Sequence, residues 1–376
     1  MKYYIIAGEA SGDLHGSLLI QQIQNLDPKA QFRFWGGDKM HAASSTPPVK
    51  HYRELAFMGF VEVILNLRTI FANLSFAKKD IAAWSPDAVI FIDYPGFNLR
   101  LASFVKNLQI PTIYFISPQV WAWKSSRVHS IKKYIDLMLV ILPFEQEFYE
   151  RYDYPTNFVG HPLLDAIEQG QAASTASQED FREKHGLSSK PIVALLPGSR
   201  KQEISTALPI MQSLVEQHPH LQFAVAGAPG QPDSTYQPLL HPQVTLIRQD
   251  TYNLLQNATY ALVTSGTATL ETALFGVPQI VCYKGNPISY AIGRRLVTNI
   301  RYISLVNLIM DREVVRELIQ QDFNPKELSA EFQKLQDPEH QKHIQQEYQQ
   351  LRQKLGNSGA AERAAKAIMQ HLQSTK

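Results

Sequence analysis

The sequence predicts an α/β protein built from two Rossmann-like halves facing each other, followed by a helical tail. Three observations carry this. Short apolar runs alternate with longer amphipathic stretches through most of the 376 residues. The alternation stops in a small, polar segment at 166–177 and then restarts. Beyond Asp311 the chain is rich in Gln, Glu and Lys and shows no strand signal. A chain this long exceeds one ordinary core, so two domains are the default. The expected parts are 1–168, 179–322 and a tail, 323–376, that could pack back on the first domain or between the subunits of a homodimer.

The strands are read from the apolar runs. In the first half these are 3–7, 32–35, 88–92, 112–116, 137–142 and 156–159. Stretches long enough for helices separate most of them, the pattern of a parallel sheet covered on both faces. The segment 166–177 (AIEQGQAASTAS) reads as a linker. The second half resumes with runs at 192–196, 223–226, 244–247, 260–263 and 279–282. Two such halves facing each other would form a cleft where both sets of strands end, and open α/β sheets bind ligands at those carboxyl ends.

Composition narrows the function classes. Apolar residues make up 44% and charged residues 19%, an ordinary globular balance. A net charge of +2 gives no global electrostatic argument for nucleic acid. The single cysteine, Cys282, lies in an apolar run, which reads as a buried strand residue and suits a reducing compartment. No run approaches the ~18 apolar residues of a membrane span. The N-terminal apolar stretch is too short for a signal peptide and is expected to open directly as a strand of a cytoplasmic protein.

The residues just past each strand carry the chemistry. After the first comes Gly8-Glu9-Ala10-Ser11-Gly12-Asp13. Its glycines allow close approach, and Ser11 and Asp13 could cap the next helix. The spacing is neither GxGxxG nor a Walker loop, and two acids would repel phosphate, so a hydroxyl-rich ligand fits better. After 88–92 comes Asp93, which suits either a general base or a turn ahead of Pro95-Gly96. After 112–116, Trp121, Trp123 and Lys124 could line a ligand wall or pack between helices.

The second half is more specific. The strand at 192–196 ends in Pro197-Gly198-Ser199-Arg200. Gly198 allows a sharp turn, Ser199 can cap, and Arg200 at a helix start offers a fork suited to phosphate. The strand at 260–263 ends in Thr264-Ser265-Gly266-Thr267, where small residues open a helix with free amides, a diphosphate cradle. Glu271 lies one turn past Thr267 and could accept two hydrogen bonds from a ribose diol. Two anion-suited turns in one half suggest a nucleoside diphosphate.

Residues 60–76 show helical spacing, with Phe60, Val63, Ile64, Leu67, Ile70, Phe71 and Leu74 on one side. A core-facing amphipathic helix explains this. So does a helix lying in a membrane interface, given Arg68, Lys78 and Lys79 nearby.

The ordered blocks then resemble one family. The opening Ala7-Gly8-Glu9-Ala10-Ser11-Gly12-Asp13 is similar to the signature start of the lipid A disaccharide synthases. Gly36-Gly37-Asp38-Lys39-Met40, Phe57-Met58-Gly59-Phe60-Val61-Glu62-Val63 and Ser117-Pro118-Gln119-Val120-Trp121-Ala122-Trp123 continue it. Leu142-Pro143-Phe144-Glu145, Phe158-Val159-Gly160-His161-Pro162, Leu195-Leu196-Pro197-Gly198-Ser199-Arg200 and Ser265-Gly266-Thr267-Ala268-Thr269-Leu270-Glu271 come next in the same order. The likeness runs from residue 3 to about residue 320.

The resemblance implies a GT-B fold and an inverting transfer from UDP-2,3-diacylglucosamine to 2,3-diacylglucosamine 1-phosphate (lipid X), with no metal or cofactor. It implies Asp93 as the base for the acceptor 6-hydroxyl and Arg200 as a UDP contact. Ser265, Gly266 and Thr267 match the diphosphate turn, and Glu271 the ribose ligand. Ser11, Gly12 and Asp13 fall in a block expected to touch substrate. Asn307 matches an asparagine in a block usually read Ser-Leu-Pro-Asn-Leu, here with Val306 in place of proline. Acylated substrates also favour a peripheral protein on the inner face of the inner membrane, with Val63, Leu67, Ile70 and Phe71 at the lipid. The competing readings are a UDP-sugar 2-epimerase on the same fold and a non-catalytic UDP-lipid binder. A nicotinamide dehydrogenase is disfavoured because no GxGxxG comes after a strand.

Overall fold

The computed structural model describes residues 1–55, 67–123, 125–173, 177–286, 290 and 301–374. The chain divides into two compact units, Met1–Ala166 with Leu355–Lys376, and Ile167–Lys354.

The first unit is built on β1 (Lys2–Ala7), β2 (Gln31–Gly36), β3 (Lys50–His51), β4 (Ala88–Ile92), β5 (Thr112–Phe115), β6 (Leu137–Val140) and β7 (Asn157–Phe158). The second is built on β8 (Ile192–Leu196), β9 (Gln222–Gly227), β10 (Val244–Arg248), β11 (Ala258–Thr264), β12 (Gln279–Tyr283) and β13 (Arg316–Ile319). Every described pairing is parallel. The orders are β3-β2-β1-β4-β5-β6-β7 and β10-β9-β8-β11-β12-β13. Each starts with its third strand outermost and its first in the middle, then runs outward the other way, the Rossmann order. Helices cover both faces, so β1 from Tyr3 to Ala7, all of β4, and β8 from Ile192 to Leu195 are wholly buried.

Several expectations change. The unforeseen β3 and β13 are both edge strands. β13 places a strand inside the stretch read as purely helical. The segment read as a linker is largely the helix Pro162–Ala173. Its Ala, Gln and Glu are strong helix formers, and this propensity outweighs the loop-like polarity. The stretch after β13 forms the helices Pro325–Leu335, Pro338–Leu355 and Ala360–Ser374.

The last helix is tied to the first unit by Asp165. Its Oδ1 accepts from the amides of Gly359 and Ala360, and its Oδ2 accepts from Ala361 at 2.9 Å. Arg363 donates to the Val159 carbonyl at 2.8 Å. Ala361, Ala166 and Leu18 form a small buried cluster between this helix and Ala10–Leu26.

The amphipathic stretch read at 60–76 is described only from Leu67, where the helix Leu67–Trp84 begins. Phe60, Val63 and Ile64 lie outside the described residues. Leu74, Ala77 and Ile81 are buried, and Ile70 packs against the same core. The expected lipid contact therefore does not extend to Ile70. Phe71 points away from the core and is 62% exposed.

Candidate functional site

In a Rossmann sheet the strand order reverses between the first and fourth strands, and a ligand meets the carboxyl edge there. In the first unit that point lies between β1 and β4, where Ala7 pairs with Ile92. Gly8-Glu9 and Asp93 therefore leave the sheet side by side. In the second unit it lies between β8 and β11, where Leu196 pairs with Val263. There Pro197-Gly198-Ser199-Arg200 and Ser265-Gly266-Thr267 emerge together. The candidate residues read from the sequence thus collect at two equivalent places.

Asp93 and Tyr94 both adopt left-handed backbone conformations, at φ 42° and 48°. For non-glycine residues this stores roughly 1–3 kcal/mol each, and such strain clusters at functional sites. The surroundings hold it in place. Asn98, wholly buried, donates to the Asp93 carbonyl at 2.7 Å, and the Tyr114 hydroxyl donates to the same oxygen. The Tyr94 ring lies over Gly8, where a Cβ would fall 2.4 Å from it. With its carbonyl fixed, Asp93 keeps a half-buried carboxyl whose acidity is altered. Burial first, then the neighbouring Glu9 carboxylate, push it up to about 7, against a backbone hydrogen bond from Tyr94. A carboxylate in that range is a competent general base near neutral pH.

The Ser11-Gly12-Asp13 expectation needs correction. The helix Ala10–Leu26 starts at Ala10 with Glu9 as its N-cap, so Ser11 and Asp13 lie inside it rather than capping it. Asp13 is buried, and its Oδ1 accepts from Gly37 and Met40 at 2.7 and 3.0 Å. Its Oδ2 accepts from Lys39 at 3.0 Å. Asp13 thus caps the helix Asp38–Ser44 from another element and is not placed to bind substrate. Gly12 is buried so close to Ala7 that a Cβ there would fall 3.0 Å from the Ala7 Cβ. Of the three, only Ser11 retains exposure at this edge. The motif pairing Gly12-Asp13 with Gly36-Gly37-Asp38-Lys39-Met40 is therefore largely a packing device. Trp121 likewise packs edge-on to Phe144, with ring centres 4.9 Å apart. The nearby Glu145 is buried, and its carboxylate accepts from Ile141 and Leu142 at 3.1 and 2.9 Å.

In the second unit Gly198 has φ 106°, and a Cβ there would fall 2.5 Å from the Glu203 carboxylate. Glu203 closes the turn by accepting from the amides of Ser199 and Arg200 at 3.1 and 3.2 Å. Arg200, rather than Ser199, is the N-cap residue of Lys201–Met211. Its exposed guanidinium lies 3.3 Å from Glu203. At the other turn Gly266 (φ 143°) opens the helix Thr267–Leu274, and both Gly266 and Thr267 are exposed. The Ser265 hydroxyl donates to the Ile303 carbonyl at 3.0 Å, which fixes the turn's entry. Glu271, one helical turn in, accepts from the Tyr252 hydroxyl at 3.0 Å. Burial raises the Glu271 carboxyl, and that hydrogen bond partly opposes the shift.

Asn307 is also corrected. It is wholly buried, and its amide is saturated. The Nδ2 donates to Val315 O and Glu317 Oε1 at 2.8 and 2.9 Å, and the Oδ1 accepts from Val314 and Val315 at 2.8 and 3.0 Å. No hydrogen-bonding capacity remains for a ligand. Glu317 also accepts from the amides of Ile303 and Ser304, both at 2.9 Å. Asn307 therefore braces the segment whose Ile303 carbonyl receives Ser265. Sequence reading named Glu9 only as an acid that would repel phosphate, and missed the supporting residues Asn98, Tyr114, Glu203 and Tyr252. Only Glu9, in the turn just past the first strand, gave any local signal, because the others depend on tertiary neighbours.

Two Rossmann sheets with candidate groups at both switch points define the GT-B class, which includes nucleotide-sugar glycosyltransferases and epimerases. Solved structures of this class are similar in fold. The UDP-GlcNAc 2-epimerase of Neisseria meningitidis bound to UDP-GlcNAc has a TM-score of 0.67 at 13% identity, covering 100% of both chains. The glycotransferase of kitacinnamycin has a TM-score of 0.63 at 14% identity, covering 99% of both chains. Likeness at that identity shows the fold alone.

Sequence comparison goes further. A family model described as lipid-A-disaccharide synthetase matches residues 3–371. The lipid-A-disaccharide synthase of Syntrophus aciditrophicus (strain SB) is 42% identical, covering 96% of this chain and 95% of that one. The synthase of Geobacter metallireducens is 37% identical, covering 98% and 96%. This chain belongs to the lipid-A-disaccharide synthase family, and is a glycosyltransferase of lipid A biosynthesis. The rival epimerase reading retains only the fold likeness.

Proposed function

We propose that this chain transfers 2,3-diacylglucosamine from UDP-2,3-diacylglucosamine to the 6-hydroxyl of 2,3-diacylglucosamine 1-phosphate. The products are the β-1′,6-linked disaccharide 1-phosphate and UDP. The supporting observation is Asp93, strained, anchored by its carbonyl and carrying a carboxyl near neutrality at the switch point of the first sheet.

In this reading the Asp93 carboxylate takes the 6-hydroxyl proton as the oxygen attacks the donor's anomeric carbon. The bond from that carbon to the diphosphate oxygen breaks with inversion, and UDP leaves with the bonding electrons. The Gly266 and Thr267 amides at the opening of Thr267–Leu274, with Arg200, stabilise the charge appearing on the diphosphate. Ser265 sets the turn, and Glu271 takes the ribose hydroxyls, with Tyr252 holding its orientation. Ser11 contacts the acceptor sugar.

Among the described residues no helix is long and apolar enough to cross a membrane. Acylated substrates therefore favour peripheral attachment at the cytoplasmic face of the inner membrane, with the exposed Phe71 as the described contact. Incubation with donor and acceptor, then mass spectrometry, should yield UDP and the disaccharide in equal amounts. Formation of a 2-epimer from UDP-N-acetylglucosamine alone, with no disaccharide from the acylated pair, would overturn the reading.

A further inference from the structure

The helix Pro162–Ala173 begins in the first unit and ends in the second. Its last turn carries a glycine, Gly170. Glycine is among the poorest helix formers, and alanine would serve the helix better. The space around Gly170 is what excludes alanine. A Cβ there would fall 2.8 Å from Cδ2 of Tyr252 and 3.3 Å from its Cε2. One edge of the Tyr252 ring therefore lies directly against the bare helix backbone.

That ring has little freedom to give way. Tyr252 sits in the first turn of the helix Thr251–Asn257, whose N-cap residue Asp250 is buried. Lys184 Nζ and His185 Nε2 lie 2.7 and 2.8 Å from the Asp250 Oδ2 and hold that helix start in place. The Phe275 ring packs against Tyr252 with centres 5.3 Å apart. At its far end the Tyr252 hydroxyl donates to Glu271 Oε1 at 3.0 Å. This bond favours the charged carboxylate, against burial, which favours the neutral acid. Among the described residues no other group donates to Glu271, so the carboxylate keeps acceptor capacity for a diol.

We propose that Gly170 is a positioning residue for nucleotide recognition: its bare backbone seats Tyr252, and Tyr252 sets the Glu271 carboxylate for the 2′- and 3′-hydroxyls of the donor's ribose. This rests on the reading of Glu271 as the ribose ligand. It adds that the helix joining the two units takes part in choosing the nucleotide. A methyl on Gly170 would push the ring at Cδ2, in the middle of the side chain and not at a flexible tip. Relieving that contact takes a shift of roughly 0.5–1 Å, enough to carry a 3.0 Å hydrogen bond out of range. Glu271 would then stand without the donor that orients it.

The test titrates the full-length protein calorimetrically with UDP and with 2′,3′-dideoxy-UDP. It compares wild type with Glu271→Gln, Tyr252→Phe, Gly170→Ala and the double variant Gly170→Ala/Tyr252→Phe. Wild type should prefer UDP, and Glu271→Gln should cut that preference about tenfold or more. Tyr252→Phe and Gly170→Ala should each cut it roughly threefold to tenfold and leave the affinity for dideoxy-UDP unchanged. The double variant should lose no more than either single one, because both act through one hydroxyl. An equal loss on both ligands in Gly170→Ala would mean a structural role and overturn the proposal. So would a Gly170→Ala effect that adds in full to that of Tyr252→Phe. Should Gly170→Ala not fold, Tyr252→Phe still decides: full preference for UDP in that variant removes the link and overturns the proposal. Loss of the preference in Glu271→Gln with its retention in Gly170→Ala brings down the positioning role alone. Full preference in Glu271→Gln brings down the ribose reading and Gly170 with it.

Discussion

Asp93 is a carboxylate made less acidic by its neighbours, and each neighbour can be removed. Because its charged form is the base, turnover should rise with pH through a limb near the value of about 7 that burial and Glu9 produce. Glu9→Gln removes the like charge, so the acid limb of the kcat profile should move to lower pH; an unmoved limb would separate the two groups. The same shift bears on stability. A carboxyl raised in the fold favours the fold at low pH and loses that contribution as pH rises through its folded value. Asp93→Asn should therefore melt higher than wild type at pH 8, by about 2–4 °C. Gly8→Ala would place a methyl inside the Tyr94 ring. It should reduce turnover with UDP binding unchanged, measured by calorimetric titration, because the disturbance lies in the other unit.

At the scale of elements, the last helix depends on one carboxylate. Asp165 accepts three amides at the start of Ala360–Ser374. Asp165→Ala leaves those donors without it and should destabilise the first unit by about 2–4 kcal/mol, read by denaturant titration. This contact also shows where sequence reading stops. The central strands were legible because burial on both faces makes them continuous apolar runs, as in β4 and β8. Two of the four edge strands, β3 and β13, were not. β3 is only Lys50–His51, and β13 opens with two charged residues in Arg-Glu-Leu-Ile, because one side of each has no strand to cover it. At the site, residues next to strand ends were legible by position, since chain order alone puts them at the carboxyl edge of a sheet. Which of them face a ligand was not. Asp13 and Asn307 look like ligands in sequence and are consumed by backbone groups elsewhere in the chain.

For the whole molecule, the same strand order appears twice, and the candidate chemistry divides between the two units. The first unit also holds two buried histidines. Burial pushes His15 down to about 4 and His161 to about 3, with His15 adding to the effect on His161. The unfolded chain takes protons near 6.5 that the fold refuses. Stability from this source is complete above that value and lost as pH falls toward 4. Denaturation at pH 7.5 and pH 5 should show the drop, and His15→Gln should flatten it.

The most direct measurement compares wild type and Asp93→Asn for disaccharide formation from the acylated donor and acceptor, with UDP affinity measured on the same samples. Turnover should fall by about a hundredfold or more while UDP binds as tightly as before. Near-normal turnover in the variant would contradict the assignment of the base on which the mechanism rests.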